Sequence, residues 1–543
     1  MSIRHSAVFL VFTLGRVQEP LGVFKMMRTL FLFASPALAV QYNISNSIPG
    51  GNNVIDGFMS YSIELSSFPD FAGNDSHPNT YSYNLLKNLA AISGSMPYIR
   101  VGGNTQDYAL YNASLQYAIN GTIDPKRSPD YPTTIYIGPS FFESYNTWPG
   151  VKFSHGLNLG LGGNNSAGWH SLLSTVPLVC KALRPGKLYA WQYGNEPDLY
   201  STSSQGPVRP PTWNESTYIS QWHNGTRAIN TLISKHCPEL LPLRYLAPSF
   251  GGASNTLKLP QTMNLGLNTN SAIRLLSVHN YISGASVPGV TLRRTLLNHT
   301  VTTLSIRAHI SNYNALASPK PPLILGEHNS LYNQGRPGLS DTFGASLWSI
   351  DFNLLAASLS IRRVHMHMGT NYRYTSWQPI TTSLSTVGTR PAYYANIFVA
   401  AFLGDLARRG VSVAHHPGSS ETEAVYAAYV NEGNVLSRVA VVSMKEYNGT
   451  VEDPGERMAR EVSIGVEGME GREVGVRRLK AVGSDATGGV RFDGWRYEYE
   501  DGGRAVKEED ASETARVEGG IVTVEIEDSS ALMLDFESND SGV

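Results

Sequence analysis

Cysteine is nearly absent from this 543-residue chain, which has two, so neither a Cys-based metal centre nor a disulfide framework can be built. Cys180 and Cys237 can form one bridge in an oxidising compartment or stay as two buried thiols. Net charge is equally thin: 42 Lys and Arg against 44 Asp and Glu leave −2. That balance lacks the basic face needed for nucleic acid or an anionic membrane, so neither is expected as a partner. A phosphate loop is missing too. Gly102-Gly103-Asn104-Thr105 has no Lys and no helix start after it, and it reads as close backbone approach at a cleft floor.

Charge is scarce over most of the chain in particular. Residues 401–543 hold 43 of the 86 Asp, Glu, Lys and Arg, and the first 400 residues hold only the other 43. This shift, with the turn-rich His415-His416-Pro417-Gly418, places a domain boundary near 405. Three segments are expected: a signal peptide over 1–39, a catalytic domain over 40–405 and a β-domain over 406–543.

The first segment carries Met27-Arg28, the apolar Thr29-Leu30-Phe31-Leu32-Phe33-Ala34, and Ala37-Leu38-Ala39. These are the charged, apolar and small-residue parts of a secretory signal with cleavage after Ala39. Its apolar part is too short to span a bilayer. The 25 residues before it fit neither part, which points to a true start at Met26 or Met27. Ten Asn-x-Ser/Thr sequons, at Asn43, Asn74, Asn112, Asn120, Asn164, Asn214, Asn224, Asn298, Asn448 and Asn539, agree with export and N-glycosylation. A secreted, extracellular glycoprotein is expected.

Between residues 40 and 405, apolar runs at 54–63, 97–102, 152–159, 188–194, 244–250, 275–281, 322–327 and 361–368 alternate with helix-length intervals. Eight such runs predict an α/β fold, a (β/α)8 barrel. Beyond 406, alternating stretches at 424–430, 437–442, 473–476 and 521–526 predict an antiparallel β-sandwich.

Two runs end in acid. Leu188-Tyr189-Ala190-Trp191 leads into Gln192-Tyr193-Gly194-Asn195-Glu196-Pro197, and Pro322-Leu323-Ile324-Leu325 leads into Gly326-Glu327. Both Glu fall at carboxyl ends of strands, the active-site face of such a barrel, on its fourth and seventh strands. His279, His328, His365 and His367 lie on three strands with no carboxylate at ligand spacing. They read as polar lining, and no metal or other cofactor is expected.

Two Glu on strands four and seven, the first preceded by Asn, resemble the pattern of the retaining glycoside hydrolases of the large barrel clan. Within it the chain is identified as a member of glycoside hydrolase family 79, the β-glucuronidase and heparanase family, and is most similar to its fungal and bacterial exo-acting branch. The likeness rests on Arg100-Val101-Gly102-Gly103-Asn104, Gly194-Asn195-Glu196-Pro197, His279-Asn280-Tyr281, Gly326-Glu327 and the β-domain. It implies Glu196 as acid/base and Glu327 as nucleophile of a double displacement. It also implies Asn195 on the sugar 2-hydroxyl, Tyr281 orienting the nucleophile, and Tyr332, Gly335, Tyr374 and Asn104 among the substrate-binding residues. Tyr332 and the amides freed by Gly335 would take the uronate carboxylate.

The expected partner is a glycan bearing terminal β-linked glucuronic or 4-O-methylglucuronic acid. The alternatives are a clan relative acting on a neutral sugar, such as an arabinofuranosidase, and a secreted carbohydrate-binding protein without activity.

Overall fold

The structure, a computed structural model, describes residues 40–48, 53–128, 130–184, 186–203, 206–430 and 433–537. The expected signal segment and the Asn539 sequon lie outside these.

Eight parallel strands close into a barrel: β1 (Met59–Glu64), β2 (Ile99–Gly102), β3 (Phe153–Leu157), β4 (Leu188–Tyr193), β5 (Tyr245–Phe250), β6 (Ile273–Gly284), β7 (Leu323–Tyr332) and β8 (Val364–Met368). Each pairs with its sequence neighbour and β8 returns to β1. Buried on both faces, the strands are apolar runs rather than alternating ones. Ala190, Leu246, Leu275 and Ile324, from β4 to β7, form a small apolar cluster of their own. Trp191, Tyr245, Leu276 and Leu325 on the same strands belong to the main core.

Two irregularities aim the functional ends of the strands. In the β6–β7 pair, Val278 faces Leu325 but His279 faces Glu327, so Gly326 is an extra residue that resets the alternation. Glycine is required there, because a Cβ would lie 2.1 Å from Ser277 Oγ. In the β5–β6 pair, Ser277 faces Pro248 and Val278 faces Phe250, leaving Ser249 as the bulge, with φ +57°. Beyond the bulges β6 and β7 stay paired as far as Gly284 and Tyr332, so Tyr332 ends a strand that outruns the apolar stretch at 322–327.

The C-terminal domain is a two-sheet β-sandwich. Strands Val411–His415, Glu423–Val430, Val435–Ser443, Ser530–Asp535 and Glu473–Lys480 run side by side in the larger sheet. His415 therefore ends a strand, where a linker was expected. The smaller sheet contains Val40–Ile44, Ala459–Val466 and Ile521–Glu527. Residues 40–44, expected in the barrel domain, thus belong to the sandwich, pairing Val40 with Val462 in parallel. The reason is their alternation: Tyr42 and Ile44 point into the sandwich core while their neighbours face solvent.

Helices Phe343–Ser358 and Pro391–Leu403 are apolar and buried almost all round. They pack on each other and against strands of the larger sheet, which joins the barrel to the sandwich through a continuous core. On the other side of the barrel, Cys180 and Cys237 form a disulfide that ties helix Ser166–Ala182 to the end of helix Glu215–His236.

Candidate active site

Glu327 enters the barrel mouth from β7 and is held on both oxygens. The Tyr281 hydroxyl, from β6, donates to Oε1 at 2.8 Å, and Arg100 Nη1, from β2, donates to Oε2 at 2.7 Å. Arg100 is completely buried and bonds with each of its nitrogens. Nε donates to Gln192 Oε1, Nη1 also to Ser62 Oγ and Nη2 to Asn195 Oδ1, each at 2.6 Å. One guanidinium thus ties β1, β2, β4 and β7 together, a use of its planar fork that Lys could not copy.

Glu196 sits one residue beyond this hub, just after β4. Its φ of +50° is unusual for a residue with a side chain and costs about 1–3 kcal/mol. The conformation is held by its N–H, which donates to the Ser249 carbonyl at 3.0 Å, and by its own carbonyl, which accepts from Leu199 N at 2.8 Å. His279 Nδ1 lies 2.8 Å from Glu196 Oε1. Asn195 is fixed through its main chain, where its N–H donates to Asp107 Oδ2 at 2.8 Å, and through its side chain, where Nδ2 donates to Asn104 Oδ1 at 3.2 Å.

The two carboxyl groups ionise in opposite senses. Burial, joined by the charge of Glu327, pushes Glu196 up to about 8. Burial works to raise Glu327 as well, but the charges of His367 and Arg100 and the Tyr281 hydroxyl outweigh it and hold that carboxyl well below the ordinary range. Burial drives His279 down to about 3 and leaves it neutral, whereas the carboxylates of Glu327 and Glu64 overcome burial and raise His367. Arg100 and His367 are therefore the cations that keep Glu327 ionised.

One ligand atom from each of Glu196, His279 and Glu327 lies within 4.8 Å of the others, a metal-like spacing that the sequence did not reveal. Arg100 Nη1 is already paired with Glu327 Oε2, at 2.7 Å.

The other expected residues divide. Tyr281 and Tyr374 face each other with ring centroids 6.1 Å apart, and Tyr374 joins Tyr131 and Tyr372 in an aromatic cluster. Asn104 also reaches the Tyr131 hydroxyl, at 3.4 Å. Tyr332 stands apart: 45% exposed, its ring lies over Gly284 at the rim. The expectation for Gly335 is corrected, because its N–H donates to the Leu331 carbonyl at 3.1 Å and is not a free donor.

Of the histidines, His365 bonds the Leu325 carbonyl and His367 bonds Ser62. His328 is not satisfied as polar lining should be. Neither of its ring nitrogens has a hydrogen-bond partner among the described residues, and the ring stacks on Phe352.

Sequence reasoning missed the buried carboxylates around the pair. Glu64 accepts from the Thr105 N–H and hydroxyl and lies 3.5 Å from His367 Nε2. Asp107 accepts from Asn195, Leu159 and Gly160 N–H groups and the Tyr200 hydroxyl. Asp198 accepts from Gly251, Gly252 and Asn255. Their positions were visible, just past the ends of the runs at 54–63, 97–102 and 188–194 in a domain with few charges, but their contacts were not.

Two carboxyl groups side by side at the carboxyl ends of the fourth and seventh strands of a (β/α)8 barrel, burial raising one and neighbouring cations lowering the other, mark the class: a glycoside hydrolase. Residues 425–533 match the family model described as the glycosyl hydrolase family 79 C-terminal beta domain. The chain is 53% identical over 513 residues to a β-glucuronidase of Neurospora crassa, covering 88% of this chain and 91% of that one. It is 47% identical over 511 residues to a β-glucuronidase of Aspergillus niger, covering 90% and 93%. The chain belongs to glycosyl hydrolase family 79. Its fold is shared with the crystal structure of a 4-O-α-L-rhamnosyl-β-D-glucuronidase from Fusarium oxysporum, with a TM-score of 0.73 at 23% identity over 91% of this chain and all of that one.

Proposed function

We propose that this chain is a secreted, retaining exo-β-glucuronidase that removes terminal β-linked glucuronic acid from glycans. Glu327 attacks the anomeric carbon, and Glu196 protonates the leaving oxygen and then activates water. The observation that carries this reading is the geometry of the pair: Glu327 is bonded on both oxygens by Tyr281 and Arg100, and Glu196 is bonded by His279 beside it. Burial raises Glu196 while neighbouring cations lower Glu327, which suits a proton donor and an anionic nucleophile. An oxygen of each lies within 4.8 Å of the other. This suits the short separation of retaining enzymes, about 5–5.5 Å, rather than the roughly 6.5–9.5 Å that leaves room for water in inverting ones.

Asn195, clamped by Arg100, Asn104 and Asp107, presents its amide to the sugar 2-hydroxyl, and Tyr281 orients Glu327. Glucuronate as the sugar rests on the two relatives named β-glucuronidase, with the Tyr332 hydroxyl at the rim as the donor to the carboxylate and Tyr374, packed beside Tyr281, as a further subsite residue. Secretion is supported by the Cys180–Cys237 disulfide and by exposed sequons such as Asn43, Asn112, Asn120 and Asn224. Asn298 stays without a glycan in this reading, because its buried side chain caps helix His299–Asn314 and donates to Glu421.

A panel of aryl glycosides tests the assignment. Hydrolysis of the β-glucuronide with a kcat/KM well above that of the β-glucoside is expected. Preference for the glucoside or an arabinofuranoside would replace the uronide assignment with a neutral-sugar one. No turnover of any aryl glycoside would favour a carbohydrate-binding role.

A further inference from the structure

Glu196 is pressed on one side by main chain rather than by side chains. A Cβ at Gly251 would lie 2.8 Å from Glu196 Cδ and 2.9 Å from Oε1, so the glycine backbone rests directly on the carboxyl group. What holds Gly251 there is Asp198. It sits two residues after Glu196 in the turn Pro197–Leu199 and is fully buried. Its Oδ1 accepts from Gly251 N at 2.8 Å, and its Oδ2 accepts from Gly252 N at 3.2 Å and from Asn255 Nδ2 at 2.9 Å. Its main-chain carbonyl accepts from Thr256 N at 3.3 Å. The same segment carries the Ser249 carbonyl that receives the Glu196 N–H.

We propose that Asp198 is a positioning residue for the proton donor: its carboxylate gathers the turn 251–255 and seats Gly251 against Glu196, fixing the carboxyl and shielding that face from water. Asp198 reaches no reacting atom itself. A carboxylate that accepts several N–H groups is a strong organiser of a turn. Short, fixed chains of contact of this kind supply the second layer that catalytic geometry needs. The inference rests on the reading of Glu196 as acid/base.

The test uses leaving-group dependence, which a merely structural role would not move. The whole chain carrying Asp198→Asn, and separately Gly251→Ala with Asp198 intact, is assayed on two aryl β-glucuronides. One has a 2,4-dinitrophenyl leaving group that departs without protonation, and the other a phenyl group that needs it. Because kcat/KM reports the first, bond-breaking step, it isolates the proton donor. Both variants are expected to lose on the order of 10- to 100-fold on the phenyl substrate, part of the roughly 10²–10⁴ that general acid catalysis contributes, and less than about threefold on the dinitrophenyl one.

Equal losses on both substrates, or none on either, would overturn the proposal. If Asp198→Asn does not fold, Gly251→Ala alone decides by the same two outcomes. Glu196→Ala is the control. If it loses activity selectively on the phenyl substrate while the other variants do not, the proposal fails and the acid/base reading stands. If Glu196→Ala itself is not selective, the underlying reading fails.

Discussion

The barrel and the β-sandwich handle charge in opposite ways. Residues 401–543 carry as many Asp, Glu, Lys and Arg as the 400 before them, yet among the described residues only Glu423 and Arg438 of that segment are buried. The charge-poor barrel buries Glu64, Arg100, Asp107, Asp198, Arg209, Glu215, Glu327, Asp351 and Arg363. Placing a charge in a protein interior costs several kcal/mol unless partners replace its water. Glu64, Arg100, Asp107, Asp198 and Glu327 of these gather at the carboxyl ends of the strands, whereas Arg363 bonds Asp56 and Asp351 bonds His299 and Tyr426 elsewhere. The sandwich pairs its charges at the surface, as in Arg478 with Glu513 and Arg496 with Glu508. Abundance of charge marks solubility, whereas buried scarcity marks the site.

The sharpest way to break this comparison is to remove a charge from each region. Glu327→Gln should lower kcat by about 10⁴-fold or more, the scale seen when a nucleophile is lost from a catalytic set. Glu513→Gln in the sandwich should leave kcat unchanged, and steady-state assays on an aryl glucuronide check both. The next effect is on stability. Arg100→Met leaves Glu327 buried without its ion pair and should cost about 3–5 kcal/mol. Arg478→Met, which breaks a partly exposed pair, should cost about 1 kcal/mol or less. Urea denaturation of the two variants measures the difference, and equal costs would contradict the contrast.

Specificity comes third. Tyr332→Phe should reduce kcat/KM for the glucuronide about ten- to a hundredfold, as expected for one lost bond to a charged group, and leave the glucoside nearly unchanged. Equal losses would mean that Tyr332 only packs over Gly284.

The smallest effect is a pH signature confined to the barrel. Between the ordinary carboxylate value of 4.5 and about 8, the folded chain keeps a proton on Glu196 that the unfolded chain has released, so stability declines as pH rises through that window. Glu196→Gln should reduce this slope in thermal midpoints taken from pH 5 to 8 without abolishing it, because burial also raises Asp198, to about 7, and Asp107, to about 6. Glu327 acts the other way. Its folded pKa lies below its unfolded one, so its contribution is complete above the unfolded value and is lost as pH falls. Activity should follow the same pair, with the alkaline limb near 8 set by Glu196.

Much of the architecture was legible because burial on both faces leaves continuous apolar runs. All eight barrel strands lie at the runs that predicted them, and Glu196 and Glu327 were visible as acids ending such runs. The extension of β6 and β7 to Gly284 and Tyr332 was not, because Ser283, Gly284, His328 and Asn329 look like loop while their backbones remain paired. Residues 40–44 were misplaced since a short strand shows which face it buries but not which sheet it joins. Glu64, Asp107 and Asp198 act through contacts between segments far apart in the chain, and spacing alone carries no trace of those. Arg100 appeared only as part of a motif. Its role as the hub depends on four strands converging, which only the closed barrel supplies.

The central claim, that Glu196 is the proton donor and Glu327 the nucleophile of a retaining reaction, is tested most directly by azide rescue of Glu196→Ala on 2,4-dinitrophenyl β-glucuronide, with the product's anomeric configuration read by NMR. Azide is expected to restore turnover and yield the β-glucuronosyl azide, with configuration retained. An α-azide from Glu196→Ala, or rescue of Glu327→Ala in its place, would contradict it.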